Sequence, residues 1–338
     1  MSDSVSANMR DTALAPQHTR REQATACMAV LHDETTALFT ALDRGGQFRE
    51  DRWSREGGGG GVTRVLEQGA TFEKVGANRS AVFGALSATA AERLGGRMGA
   101  VEGAQFFATG LSVVAHPRSP RVPTVHLNVR YFEISGPDGA VVDAWFGGGT
   151  DLTPTYPAWD DPRAFHVALR NHCLVHHASF YPRFKPWCDD YFRNTHRGNE
   201  ARGCGGIFFD HLRPIDDESG LDADALFAFA SDVARALSYA YAPIVDRRRD
   251  EPTNEAERSL QLTRRARYAE FNLLHDRGTL FGLQTAARIE SVLMSLPPLA
   301  QWVYTPDDAV DPMGDALREM LAPRDWVNEP QRETAFSP

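Results

Sequence analysis

Three polar side chains occupy alternate positions in one apolar run. Residues 122–132 read Val-Pro-Thr-Val-His-Leu-Asn-Val-Arg-Tyr-Phe. As a strand, this run puts Val125, Leu127, Val129 and Tyr131 on one face and His126, Asn128 and Arg130 on the other. Same-face neighbours then sit roughly 6.5–7 Å apart. An imidazole, an amide and a guanidinium on one rigid line suit a proton shuttle, a hydrogen-bonding group and a carboxylate clamp. A second pair, Asp276-Arg277, stands between apolar flanks and sets an anion beside a cation. Arg288 follows near a helix start, where a carboxylate is also favoured. His116, His126, His166 and His196 come from four separate elements and offer ligands for a divalent metal cation. No short-range ligand spacing such as His-Glu-x-x-His accompanies them. Ser112 lies in no Gly-x-Ser-x-Gly elbow, which argues against a serine nucleophile.

The elements that must position these groups follow from pattern. Residues 20–43 predict a helix that Gly45-Gly46 ends. Gly57 to Gly61 reads as a flexible turn or a close approach of backbone to a ligand, since no Gly-Lys-Ser/Thr follows. Residues 62–66 and 71–75 predict a hairpin with Gly69 available for positive φ. Residues 106–116 predict a strand that puts Ser112, Val114 and His116 on one face. The strand at 122–132 ends in a turn at 135–139, and residues 141–146 return as far as Gly147-Gly148-Gly149. Strands joined by such short turns predict an antiparallel meander.

Helices are predicted from Asp160, with an acid as N-cap, to about residue 178, and from Lys185 to about His196. Ile207-Phe208-Phe209 predicts a short buried strand. Further helices are predicted over 221–250, from Asn254 to about Arg267, and over 285–296. Residues 268–274 and 280–283 predict a last hairpin around Asp276-Arg277-Gly278-Thr279. The sum is an α+β single domain over 19–338, one antiparallel sheet with helices on both faces, behind a disordered tail at 1–18.

Composition narrows the class. The 338 residues are 42% hydrophobic and 24% charged, the balance of a globular protein. The net charge of −9 argues against nucleic acid as a partner. The cations are nearly all arginine, with lysine only at Lys74 and Lys185, and arginine is the better bidentate partner for a carboxylate. Cys27, Cys173, Cys188 and Cys204 form no CxxC pair and read as reduced structural thiols. No apolar run approaches a membrane span and the N-terminus has no signal-like core, so a cytoplasmic protein with no integral membrane segment is expected.

Several stretches, taken in order, resemble one family. They are residues 55–66, 110–117, 123–132, 145–154, 181–192, 205–210 and 268–285, including Trp145-Phe-Gly-Gly-Gly-Thr-Asp and His275-Asp-Arg-Gly-Thr. The chain resembles the oxygen-dependent coproporphyrinogen III oxidases of haem biosynthesis from about residue 20 to 327. The resemblance implies a large, flat antiparallel sheet between helix layers, and a homodimer. It implies oxidative decarboxylation of two propionates of coproporphyrinogen III to vinyls, with O2 as oxidant and no organic cofactor. His126 takes the proton-donor position. Ser112, Asn128, Val129, Arg130, Ala286, Ala287 and Arg288 fall on substrate positions. Asp276 and Arg277 match a pair central to binding and catalysis, and His116, His126, His166 and His196 match positions assigned to a divalent metal. Three departures stand out: Ala286-Ala287 where the family has two glycines, one extra residue after Arg197, and Ala144 in place of an aromatic. The competing readings are a tetrapyrrole-binding protein without turnover and a metal-dependent hydrolase.

Overall fold

The computed structural model describes residues 19–86, 103–214, 217–284, 288–304, 312–330 and 332. Seven strands form one antiparallel sheet: β1 (Arg49–Ser54), β2 (Gly59–Glu67), β3 (Phe72–Ala85), β4 (Gln105–Pro117), β5 (Thr124–Ser135), β6 (Val141–Thr153) and β9 (Gly205–Leu212). They lie side by side in that order, so the first six make the expected meander. A two-stranded ribbon, β7 (Arg193–Asn194) and β8 (Glu200–Ala201), stands apart.

The alternation of apolar residues decides which face is core. Val75, Ala77, Leu111, Val113, Leu127, Val129, Leu152, Ile207 and Phe209 are wholly buried on one face. Each Val, Leu, Ile or Phe side chain among them contributes about 1.5–3 kcal/mol by leaving water. Helices α1 (Arg20–Asp43), α2 (Asp160–His176), α3 (Phe180–Tyr191) and α4 (Ala223–Arg235) cover that face. α1 opens with a capping box in which Thr19 and Glu22 bond each other's backbone.

The opposite face carries the polar positions and has helices at one end. There α7 (Glu255–Leu274), α9 (Ile289–Val292) and the 3₁₀ turn Leu293–Ser295 close over β2, β3 and β4. Ser291 Oγ lies 2.7 Å from Thr63 Oγ1, and Met294 fills the space a side chain at Gly76 would need. The α+β fold with helices on both faces is therefore as the sequence predicts.

Several elements differ from expectation. β1 is an extra edge strand. The positive φ in the β2–β3 turn falls on Gln68, not Gly69. Gly57 and Gly58 form the expected turn, but Gly59 to Gly61 open β2: a Cβ at Gly59 would stand 2.2 Å from the Ala81 carbonyl. β6 runs on through Gly147-Gly148-Gly149, where a Cβ at Gly148 would lie 2.5 Å from the Asn128 carbonyl. The N-cap of α2 is Trp159 without a side-chain bond, because Asp160 and Asp161 turn instead to Arg247 and Arg248. α3 begins at Phe180 and holds Pro186 within it. The stretch 221–250 is three helices: α4, α5 (Leu237–Ala240) and α6 (Ala242–Arg248).

The largest correction concerns residues 268–283. No hairpin forms there. α7 continues to Leu274, and α8 (Arg277–Gln284) starts after a break at His275 and Asp276. Most of the predicted 285–296 helix reduces to α9 and its 3₁₀ turn, and Ala286 and Ala287 lie outside the described residues. The expected tail at 1–18 also lies outside them. A final helix, α10 (Pro312–Leu321), adds Leu317 and Met320 to the core.

Candidate active site

Register places a polar row straight across the open face. Thr63 pairs with Asn78, Asn78 with Ser112, Ser112 with Asn128, Asn128 with Gly149, and Gly149 with Phe208. In β5, His126, Asn128 and Arg130 are half-buried while their neighbours are fully buried, so the three groups do share one face. Ser112 joins them from β4. Val129 points the other way into the core, and its side chain does not reach the site.

Arg130 is held at the β6 and β9 end of the row. Its Nη1 donates to Asn128 Oδ1 at 3.0 Å, and its Nη2 meets Asp210 Oδ1 at 2.8 Å. Arg277 reaches Asp210 Oδ2 at 3.5 Å and lies over the Tyr191 ring, 5.0 Å from its centre. The β5 row and the Asp276-Arg277 corner therefore meet at one carboxylate, on one side of the sheet. Burial opposes ionisation of Asp210, but the Arg130 charge and its other cationic neighbours outweigh it and hold the carboxyl below its usual range.

Asp276 is fixed by both of its oxygens. Oδ1 accepts from Tyr191 at 3.1 Å, while Oδ2 accepts the Thr279 amide at 2.7 Å and the Thr279 hydroxyl at 2.9 Å. It thus caps α8, the part an Asp commonly plays before a helix. An ionised carboxylate has about four lone-pair sites, so one acceptor position remains for a ligand N–H.

His126 stands on a buried relay. Its Nδ1 lies 2.8 Å from Asp151 Oδ1, and Asp151 takes Arg202 Nη2 at 2.7 and 2.8 Å. Arg202 is fully buried beneath Phe192, Tyr268 and Phe271, its guanidinium carbon 4.1 to 4.7 Å from their ring centres. Burial alone would raise Asp151, yet Arg202 and the His126 bond bring it below the ordinary carboxylate range. With Asp151 ionised, His126 Nδ1 carries the proton toward it, and Nε2 is the nitrogen left for chemistry.

Arg288 sits at the far end of the same face. Its Nη2 meets Asp51 Oδ2 at 2.5 Å on β1, whose register partner is Thr63. Four strand spacings separate β1 from β5, about 19 Å. Guanidiniums thus stand at both ends of a polar row in which Asn78, Ser112 and Asn128 are half-buried and Thr63 is buried beneath Ser291.

The four histidines matched to a cation do not converge. His116 bonds the Ser295 carbonyl at 2.8 Å, and burial pushes it well below its usual value. His166 bonds Tyr181 Oη at 2.9 Å and the Cys204 carbonyl at 3.0 Å, and burial lowers it to about 3. His196 stacks on His275 and bonds Glu270 at 2.9 Å. Among the described residues no three His, Cys, Asp or Glu side chains group as they would to hold a metal ion. The stretch after Arg197, where the resemblance implies an extra residue, forms the β7–β8 turn, in which Gly198 and Asn199 both take φ +62°.

Sequence reasoning missed Asp151, Tyr191, Arg202 and Asp210. The one visible signal was an acid closing the apolar Ile207-Phe208-Phe209 run. What the geometry brings together is Arg130, Arg277 and Asp276 around Asp210 and Tyr191, on the face of the sheet that His126 and Asn128 share. The sequence matches the family model for coproporphyrinogen III oxidase over residues 23–326. It is also 45% identical over 305 residues to an oxygen-dependent coproporphyrinogen-III oxidase, chloroplastic, from Glycine max, an alignment covering 87% of this chain and 76% of the relative. The chain belongs to the coproporphyrinogen III oxidase family.

Proposed function

We propose that the chain converts coproporphyrinogen III to protoporphyrinogen IX by oxidative decarboxylation of two propionates. The observation that carries this reading is the meeting of Arg130 and Arg277 at Asp210, next to the Tyr191-held Asp276, with Arg288 at the far end of the same face. A flat ring with carboxylates on its rim fits such a face, gripped at its edges and reached from its centre. Family membership and the Glycine max relative support the same substrate.

Each propionate has the balance: propionate + O2 + H⁺ gives vinyl + CO2 + H2O2. The electron-rich ring supplies electrons to oxygen directly, so no organic cofactor is required. The protein holds, orients and dehydrates the reactants. Asp276 accepts from a pyrrole N–H and stabilises positive charge on the ring. Arg130, Arg277 and Arg288 pair with propionates. His126, steadied by Asp151, delivers the proton that the balance requires. No step is routed through a divalent cation, because the four histidines are engaged separately.

The same reading extends to a cytoplasmic homodimer. No helix among the described residues is long and apolar enough to cross a membrane. The deciding experiment is incubation with coproporphyrinogen III with and without oxygen, followed by chromatography. Protoporphyrinogen IX and CO2 are expected only in the aerobic arm. Binding without CO2 release would leave a tetrapyrrole carrier instead.

A further inference from the structure

Asp210 is an odd residue to find in a seat for carboxylates. It places a negative charge where the substrate would bring one. Three features of the chain are nonetheless arranged around it. First, β9 carries one extra residue here: Gly148 pairs with Phe209 and Phe146 with Leu212, so two steps in β6 face three in β9. Such a bulge re-aims a side chain. Second, His211 takes φ +50°, a left-handed conformation uncommon outside glycine, and donates its amide to Asp210 Oδ1 at 2.9 Å. Third, residue 147 is glycine, and a Cβ there would lie 2.8 Å from both Asp210 Oδ1 and Arg130 Nε. Backbone shape, local strain and a missing side chain all serve the contact of Asp210 with Arg130 and Arg277.

We infer that Asp210 is a placeholder carboxylate, a positioning residue that holds Arg130 and Arg277 between substrates and takes them back when the propionate is lost. The inference rests on the function proposed above. Decarboxylation turns a charged propionate into a neutral vinyl. Without Asp210, two guanidiniums would be left facing an uncharged group after each turn. With it, they return to a partner already in place at 2.8 and 3.5 Å. Asp210 therefore competes with the incoming propionate. It weakens the ground-state grip and speeds exchange at the seat. That matters for a ring whose propionates react one after another, because the seat must be emptied and refilled.

The test is affinity and kinetics of Asp210→Asn and Asp210→Ser, with Asp210→Glu retaining the charge. The probe is oxidised coproporphyrin III, which has four carboxylates and does not react, titrated by fluorescence quenching. The uncharged variants are expected to bind it about tenfold tighter than wild type, the equivalent of one charge-assisted hydrogen bond no longer contested. Their kcat should fall, with a burst of CO2 before a slow steady state, and the Glu variant should keep the wild-type dissociation constant. A merely structural Asp210 gives neither the tighter binding nor the burst. Equal or weaker binding by a folded Asn or Ser variant overturns the inference, as does failure of both to fold. Wild-type protein that binds the probe but releases no CO2 from coproporphyrinogen III refutes the enzymatic reading, while the affinity comparison still judges Asp210.

Discussion

Tyr191 donates its hydroxyl to Asp276 Oδ1 at 3.1 Å and, through the same oxygen, accepts the Arg277 amide at 3.1 Å. Burial, and then the charge of Asp276, push the phenol up to about 12, so the proton stays on the tyrosine. The ring stacks on Phe208 with centroids 4.3 Å apart. One side chain from α3 thus pins the start of α8 against the sheet. Tyr191→Phe keeps the stack and removes both hydrogen bonds. Turnover is expected to fall about tenfold with little loss of stability. Steady-state rates set beside a melting curve check this, and an unchanged kcat would release Tyr191 from the site.

Asp276 has two duties that one substitution separates. Its Oδ2 caps α8 through Thr279, and Oδ1, which takes only the Tyr191 hydroxyl, keeps the acceptor position proposed for the ring. Serine also caps helices well, costing a few tenths of a kcal/mol or less relative to Asp. Asp276→Ser should therefore keep its Tm while losing about a hundredfold or more in kcat. Near-wild-type rates would reduce Asp276 to a cap.

Gly147 is the clearance around the Arg130–Asp210 pair. The atoms a Cβ would strike are the ends of flexible side chains, not backbone, so Gly147→Ala should fold. Displacing Arg130 should raise KM for a tetracarboxylate substrate about tenfold, within the usual cost of overpacking. An unchanged KM would show that Arg130 does not need its observed position.

The β5 row was legible because one face of β5 is core and period-two alternation survives burial. β1 was not, since its sequence Arg-Glu-Asp-Arg-Trp-Ser reads as charged loop, a usual disguise of edge strands. α7 was legible as far as Arg267, but its end was not: Tyr268-Ala-Glu-Phe-Asn-Leu-Leu274 is rich in aromatic and apolar residues and reads as a strand. Its buried side nonetheless includes Arg264, Arg265 and Arg267, paired with Glu200, Glu73 and Glu270. The Asp-Arg-Gly signal at 276–278 then resembled a β-turn, although it marks a helix start. Asp151 and Arg202 could not be paired from sequence, because 51 residues separate them and only the fold brings them together.

Arg202 and Asp151 form an ion pair with both side chains 1% exposed. Removing one member of such a pair leaves a charge without partner or water, which typically costs about 3–5 kcal/mol. Arg202→Leu is expected to lower the denaturant midpoint accordingly and to free His126 from its fixed orientation. Adding Asp151→Asn to that background removes the stranded charge and should restore part of the stability. Chemical denaturation of the two single variants and the double settles the matter. Strictly additive losses would mean that Asp151 does not depend on Arg202.

Acid should destabilise the chain through histidines that lie outside the site. His32 and His172 are buried in the structure, and burial lowers each from 6.5 to about 4. His32 Nε2 is bonded to the Ala77 carbonyl at 3.1 Å, while its Nδ1 is buried without a partner. Between 6.5 and about 4 the unfolded chain binds a proton at each ring and the folded chain does not. Stability therefore rises with pH across that window. It is fully present above the unfolded value and is lost as pH falls toward the folded one. Asp151 and Asp210, both held below the usual carboxylate range, extend the same trend to lower pH. A series of melting temperatures from neutral pH down to 4 should decline steadily. His32→Gln with His172→Phe removes both titrating groups, so its decline over the upper part of the window should be shallower than that of wild type. Parallel curves for the two proteins would show that neither histidine is held neutral by the fold.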